Sequence, residues 1–287
     1  MSRNVTGHTK LLCLLGSPVA HSISPAMHNE ACRLLDLDYE YLAFDVTPLH
    51  LETAVRGLVA MGARGFNLTM PDKNDMALLV DELSPASKIT GAVNTVINDN
   101  GRLTGTTTDG IGWMRSALDA GVDPVGKRMV QLGAGGAGTA ILVQAAIDGV
   151  KSIDVFNARD AFWPRVENIV QQLNEQTACK VTLHDIKDLD QMKKSIADAD
   201  ILLNTTPVGM ARIPGCLIPD PSYFHEGLVV SDVIYEPRET ELLKMAREAG
   251  LKTFNGMYML LYQGAASFEL CTGEKMPTEE IKAKYFT

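Results

Sequence analysis

Short apolar runs alternate with longer stretches whose apolar positions recur every three to four residues, and the alternation continues along almost the whole chain. This is the pattern of α/β units with parallel strands. In the first third, strands are predicted over residues 11–15, 39–44 and 65–69, and helices over 25–35 and 51–61. Ser24 is the expected N-cap of the first helix, with Pro25 at its first position. Pro71 is expected to open a short helix that carries Lys73. The segment 92–107 breaks the rhythm: Val93, Val96 and Ile97, then Asn100-Gly101, then Leu103, predict a β-hairpin with a tight turn. Asp109 follows as the expected cap of a helix over 111–119, and 121–127 reads as a polar turn.

From residue 128 the rhythm is regular. Strands are expected over 128–132, 152–156, 180–183, 201–204, 228–232 and 252–254, with helices between most of them. The last stretch, 257–272 and 278–285, is helical with no strand of its own to cover. It is expected to pack back onto the first domain. The fold class is therefore α/β with two domains: a mixed α/β domain over 1–108, joined by 257–287, and a second domain over 109–256.

The chemistry of the second domain is carried by Gly133-Ala134-Gly135-Gly136-Ala137-Gly138, directly after the apolar run Met129-Val130-Gln131-Leu132. A strand, a G-x-G-x-x-G turn and a helix form the fingerprint of a dinucleotide site. The first glycine permits the tight turn, the second lets the backbone approach a pyrophosphate, and the third lets helix and strand pack closely. The helix N-terminus presents free N–H groups and its positive dipole end to the phosphates. Six strands and this turn make the second domain a doubly wound Rossmann domain. The next strand ends near Asn157, where the ribose is read. A 2′-phosphate calls for an arginine and a free 2′-hydroxyl for a carboxylate. Arg159 and Asp160 offer both, so NADP and NAD stay open, with NAD favoured if Asp160 faces the site.

The net charge of −9 disfavours nucleic acid, which needs a basic footprint, but admits a small anionic substrate held by local groups. The hydrophobic content of 46% is ample for packed cores. The five cysteines are scattered and form no C-x-x-C pair, so neither a metal site nor a disulfide framework is expected. The first residues are polar and no stretch approaches the roughly 20 apolar residues of a membrane span. A cytoplasmic enzyme with reduced thiols is the expectation. Oligomeric state stays open, with a homodimer the common form for such chains.

A polar set in the first domain completes the picture. Gly16-Ser17-Pro18-Val19-Ala20-His21-Ser22-Ile23-Ser24-Pro25 resembles the N-terminal signature of the shikimate/quinate dehydrogenase family. So do Gly65-Phe66-Asn67-Leu68-Thr69-Met70-Pro71-Asp72-Lys73, Gly91-Ala92-Val93-Asn94-Thr95, Thr108-Asp109-Gly110, and Gly256-x-x-Met259-Leu260-x-x-Gln263-Gly264. These segments stand in family order and span nearly the whole chain. Asn204-Thr205-Thr206-Pro207 resembles the family's loop beside the nicotinamide, and Asp232-Val233-Ile234-Tyr235 matches a further family segment. The resemblance implies hydride transfer between NAD or NADP and shikimate, or quinate, in aromatic amino-acid precursor metabolism. It also implies cofactor contacts at Thr205 and Gly256.

The residues fit such chemistry in their own right. Ser22 and Ser24 flank a helix start, where hydroxyls and backbone N–H groups hold a carboxylate. Asn67, Thr69, Asn94 and Gln263 are neutral donors and acceptors suited to ring hydroxyls, and Tyr235 is a candidate for the carboxylate. Oxidising a secondary alcohol requires loss of its hydroxyl proton, which Lys73 can take, with Asp109 orienting the ammonium. His21 and His28 read as structural rather than catalytic. The chain departs from the family pattern at Thr107, at Asp72 before the lysine, and at Ala158, where NADP-using members place an arginine. Asp72 either tunes Lys73 or caps its helix, and Ala158 favours NAD. The rival readings are a quinate-degrading dehydrogenase, an amino-acid-like or folate dehydrogenase on the same fold, and a non-catalytic nucleotide or ligand sensor.

Overall fold

The computed structural model describes residues 5–286. The chain divides into two compact units. One runs to Thr108 and takes in the chain from Leu261 onward, and the other is Asp109–Leu260.

The first unit contains β1 (Lys10–Gly16), α1 (Ser24–Leu34), β2 (Tyr39–Asp45), α2 (Leu51–Ala60), β3 (Gly65–Leu68), α3 (Lys73–Met76), β4 (Glu82–Leu83), α4 (Pro85–Thr90), β5 (Thr95–Asp99) and β6 (Arg102–Thr106). Its six-stranded sheet has the order β2-β1-β3-β5-β6-β4. β1 pairs in parallel with β2 and β3, whereas β5 runs antiparallel to both β3 and β6. Cys13, Leu15, Phe66, Leu68, Val93 and Val96 build the core on one face with the apolar stripe of α2. The β5–β6 hairpin turns at Asn100 and Gly101, whose φ values of 55° and 95° are those of a type I′ turn.

Helix α1 starts at Ser24 itself, with Ile23 in the cap position and no side-chain cap. The hydroxyl that serves the start is Ser22's, which accepts the Ser24 N–H at 3.2 Å. A chain that is already helical at the residue before its helix leaves the expected cap inside the first turn. Likewise α3 opens at Lys73 rather than Pro71 and lasts a single turn, and the Met70–Pro71 bond is cis. Helix α4 is an element the apolar pattern hid, because it is short. Its punctuation was nonetheless visible: Ser84 accepts the Ser87 N–H, Pro85 holds the first position, and Gly91 ends it at φ 63°.

The second unit contains α5 (Asp109–Asp119), β7 (Arg128–Leu132), α6 (Gly136–Ile147), β8 (Ser152–Asn157), α7 (Trp163–Gln176), β9 (Lys180–Asp185), α8 (Leu189–Ala197), β10 (Ile201–Asn204), β11 (Val229–Asp232), α9 (Glu241–Glu248) and β12 (Lys252–Phe254). Asp109 is thus the first residue of α5 rather than its cap. The sheet order β12-β11-β10-β7-β8-β9 is the 3-2-1-4-5-6 order of a doubly wound dinucleotide fold, parallel throughout. Gly110 lets α5 lie against α6, since a Cβ there would strike the Ala140 carbonyl.

Helix α10 (Met257–Thr272) begins at the end of the second unit and enters the first at Leu261. Gly264 packs on Met27 of α1. Helix α11 (Thr278–Tyr285) is tied to α1 by Lys284, whose Nζ lies 3.0 Å from the Glu30 carboxylate. The five cysteines are free. Among the described residues no helix is long and apolar enough to cross a membrane, and no His, Cys, Asp and Glu group is arranged to hold a metal.

Candidate active site

Strand register gathers most of the first-unit candidates at one sheet edge. Leu15 of β1 pairs with Leu68 of β3, Asn67 with Thr95 of β5, and Thr95 with Thr106 of β6. The ends of β1 and β3 and the start of β5 therefore share an edge. The loop bearing Ser22, the start of α1 at Ser24, and Asn67, Thr69, Lys73 and Asn94 all lie at or just beyond it. The Thr69 loop sits tightly on β1, because a Cβ at Gly16 would collide with the Thr69 methyl. The Lys73 carbonyl accepts the Val93 N–H at 2.8 Å, fixing the lysine's turn against the segment that leads into β5. Gln263 precedes the glycine by which α10 packs on α1.

A hydrogen-bond chain runs beneath this edge. Ser24 bonds the Tyr41 hydroxyl, which donates to Asn67 Oδ1 at 2.9 Å. Asn67 Nδ2 in turn donates to the Asn94 carbonyl (3.1 Å), Thr95 Oγ1 (3.0 Å) and Ser267 Oγ of α10 (2.7 Å). Asn94 Oδ1 accepts the Thr108 N–H (2.9 Å) and the Thr95 and Thr108 hydroxyls (3.0 and 3.2 Å). Asn67 and the Asn94 carbonyl oxygen thus face inward to protein partners. Among the described residues the Thr69 hydroxyl makes no such bond, so it stays available. His28 stacks on Tyr41 at 4.2 Å between centroids, and burial pushes its pKa down to about 3. It is a neutral packing group, while His21 is exposed.

Asp72 stands at the N-cap position of α3, but its side chain makes no capping hydrogen bond. Its side chain is fully buried with neither carboxylate oxygen hydrogen-bonded, and burial, followed by Asp75, holds its pKa above the usual carboxylate range.

In the second unit the glycine turn is shaped by side chains around it. Gly133 adopts φ 92°, and a Cβ there would meet the Thr206 methyl at 2.7 Å. A Cβ at Gly138 would collide with the Thr205 hydroxyl. Gly135 and Gly136 face open space instead, with nothing within 4 Å of an added Cβ. The turn therefore offers room where the first N–H groups of α6 lack intrahelical acceptors. That shape suits the pyrophosphate of a dinucleotide. Asn157 Oδ1 accepts the Ala134 N–H at 3.0 Å, so Asn157 braces the turn. The Thr205 hydroxyl, just past the end of β10, bonds the Leu132 and Gly133 carbonyls at 2.9 and 2.8 Å and does the same.

Comparison with known proteins gives the family. The family model of the shikimate dehydrogenase substrate binding domain matches residues 14–96, and that of the shikimate 5'-dehydrogenase C-terminal domain matches 256–284. A shikimate dehydrogenase (NADP(+)) of Listeria monocytogenes is 48% identical, with 100% of this chain and 99% of that protein covered. The chain belongs to the shikimate dehydrogenase family.

Solved structures of the family agree in fold. The crystal structure of Listeria monocytogenes shikimate 5-dehydrogenase in complex with shikimate and NAD superposes with a TM-score of 0.95 at 48% identity, covering 99% of this chain and 98% of that one. Quinate dehydrogenase from Corynebacterium glutamicum in complex with NAD gives 0.85 at 30% identity, covering 97% and 99%. The shikimate dehydrogenase family is one of oxidoreductases that use a nicotinamide cofactor.

The remaining candidates also belong to the second unit. Asp160 is exposed and its Oδ1 accepts the Phe162 N–H at 2.8 Å. Arg159 lies over the Trp163 ring, 4.4 Å from its centroid. Trp163 itself is buried, as a core residue. Tyr235 is exposed rather than buried. Gly256 packs directly beneath the Val233 carbonyl, where no Cβ fits.

Sequence reasoning missed three braces: Tyr41, Ser267 and Gln131. Gln131 Nε2 donates to the Gly133 and Gly138 carbonyls, both at 2.9 Å, and pins the two ends of the turn. Its signal was present, since a fully buried glutamine interrupts an apolar strand just before the glycines.

Proposed function

We propose that the chain catalyses the reversible oxidation of shikimate to 3-dehydroshikimate, taking NAD in preference to NADP. The observation that carries this reading is the gathering of Ser22, Ser24, Thr69, Lys73 and Asn94 at one edge of the first-unit sheet, in a chain of this family. Ser22 and Ser24 hold the carboxylate; Tyr235 assists. Thr69, Asn94 and Gln263 bind ring hydroxyls, and Asn67 holds their backbone in place. Lys73 takes the proton of the hydroxyl being oxidised and returns it in the reverse direction, and Asp109 orients its ammonium. Residues Gly133, Ala134, Gly135, Gly136, Ala137 and Gly138 would hold the dinucleotide, with Asn157, Thr205 and Gly256 supporting its surroundings and Arg159 and Asp160 at the adenosine ribose. When bound, the nicotinamide supplies the hydride acceptor. The same reading makes the protein a cytoplasmic enzyme, assembled as a homodimer.

Steady-state kinetics with shikimate and quinate, each with NAD and NADP, test the proposal. Lys73→Ala should lower kcat by about 10²–10⁴-fold, the usual contribution of a positioned acid–base group, and leave KM far less changed. Equal losses in binding and turnover would defeat the assigned role. Quinate turnover is the second reading, favoured by the likeness to the Corynebacterium glutamicum enzyme. A quinate kcat/KM above that for shikimate would establish it.

A further inference from the structure

We infer that Asp185 is a specificity-determining residue that holds Arg159 away from a nucleotide 2′-phosphate and so favours NAD. This rests on the proposed reading of the glycine turn as the nucleotide site. Asp185 is the last residue of β9 and pairs in register with Asn157, the last residue of β8. Asn157 braces the glycine turn, so the Asp185 carboxylate belongs to the strand ends where a doubly wound sheet binds its ligand. The carboxylate is fixed, because Oδ1 accepts the Lys187 N–H at 2.9 Å. Oδ2 lies 3.3 Å from Arg159 Nε.

Arg159 is the only cation between Asn157 and Trp163. It is therefore the group in that loop able to receive a 2′-phosphate, which needs a guanidinium free to meet it. Here the guanidinium has two holds, the Trp163 face and the Asp185 carboxylate. Ala158 supplies no substitute, and Asp160 adds a second negative charge to the same loop. A 2′-phosphate must displace Arg159 from Asp185 and then lie near two carboxylates. A free 2′-hydroxyl meets neither penalty. The Arg159 side chain is 67% exposed and that of Asp185 29%, so the pair has the strength of a surface ion pair.

The experiment is calorimetric titration of the full chain with NAD and with NADP, for wild type, Asp185→Asn, Asp185→Glu, and Asp185→Asn combined with Arg159→Ala. Loss of a surface pair sets the scale at about fivefold. Asp185→Asn should tighten NADP relative to NAD by that factor. Asp185→Glu keeps the pair and should leave the ratio near wild type. Adding Arg159→Ala should abolish the gain. A merely structural role for Asp185 would weaken both nucleotides together and would not improve either. An unchanged ratio in Asp185→Asn, or a gain that survives without Arg159, overturns the inference. Absence of binding by either nucleotide to the wild-type protein would instead overturn the glycine-turn reading.

Discussion

In the function proposed above, the two units hold polar groups for a ligand by opposite means. In the first unit the working groups are side chains, and other side chains hold them. Ser24, Tyr41, Asn67 and Ser267 form one chain of bonds, and Asn94 clamps Thr108. In the second unit the working groups are backbone N–H groups of the glycine turn. Gln131, Asn157 and Thr205 shape that turn without reaching past it. A site of side chains tolerates backbone changes poorly only where the chain is crowded, as at Gly16. A site of backbone is defined by what its glycines exclude.

The sharpest way to break this comparison is at the turn. Gly133→Val places a β-branched residue at φ 92° and drives its side chain into Thr206. Backbone strain alone is about 1–3 kcal/mol, and overpacking adds a similar amount. Loss of nucleotide binding together with a large fall in the second unit's unfolding midpoint is expected by calorimetry and urea titration. Gly135→Ala is the control, since its methyl enters open space. It should leave the midpoint unchanged and weaken the nucleotide. Unchanged nucleotide affinity in Gly135→Ala would mean that the open space at Gly135 has no bearing on a ligand.

Asn67→Leu makes the corresponding break in the first unit. It leaves the buried Tyr41 O–H without its acceptor and takes the Asn67 donor from the Thr95 and Ser267 hydroxyls. Unsatisfied buried groups cost about 1–3 kcal/mol each, so a loss of about 2–4 kcal/mol is expected from urea unfolding. KM for shikimate should rise as well, because the Asn94 carbonyl and the Tyr41 hydroxyl that bonds Ser24 each lose a hold on the edge. A stable variant with unchanged KM would show that the network does not hold the edge.

The difference between the units also explains what the sequence made legible. The second unit was read nearly whole, because parallel strands buried on both faces are apolar runs and the glycine turn has a fixed spacing. Asp185 escaped notice since its partner is set by strand register, not by any local motif. The first unit yielded its strands, its hairpin and its edge residues through short segments such as Asn67–Lys73. Its bracing was not readable: Tyr41 and Ser267 reach Asn67 from 26 and 200 residues away. The protein partners of the Asn67 amide were not readable either, because an asparagine's type does not show which way its amide is turned.

Asp72→Asn sharpens the comparison from the other side, since here the first unit carries a polar group with no brace. A carboxyl with a raised folded pKa stabilises most below the unfolded value and loses that contribution as pH rises through the folded one. At neutral pH its buried, unpartnered oxygens therefore count against the fold. The amide removes the charge, and a gain of about 1 kcal/mol at pH 7 is expected, shrinking towards pH 4. Thermal unfolding at the two pH values measures it. A destabilised variant at pH 7 would mean that the charge has a partner.

The smallest net effect comes from two buried groups that titrate in opposite senses, one in each unit. His28 in the first unit has its pKa pushed down to about 3 by burial. Between that value and the ordinary histidine range the unfolded chain binds the extra proton, so stability falls as pH falls. Asp232 in the second unit is raised to about 6 by burial, against the pull of bonds from Ile234, Asn204 and Thr240. Between the ordinary carboxylate range and that value the folded chain binds the extra proton, so stability falls as pH rises. Each slope reaches about 1.4 kcal/mol per pH unit, and the windows overlap from about pH 4 to pH 6, where the sum is close to zero. The units can be followed apart, because Trp113 and Trp163 are the only tryptophans and both lie in the second. Asp232→Asn should tilt the tryptophan-detected urea midpoint downward at pH 5 relative to pH 7, compared with wild type. His28→Phe, which keeps a ring against Tyr41, should raise acid stability by far-UV circular dichroism without that tilt. If both substitutions moved the two signals identically, the opposed titrations would belong to one cooperative whole, and the division of labour between the units would not extend to their stability.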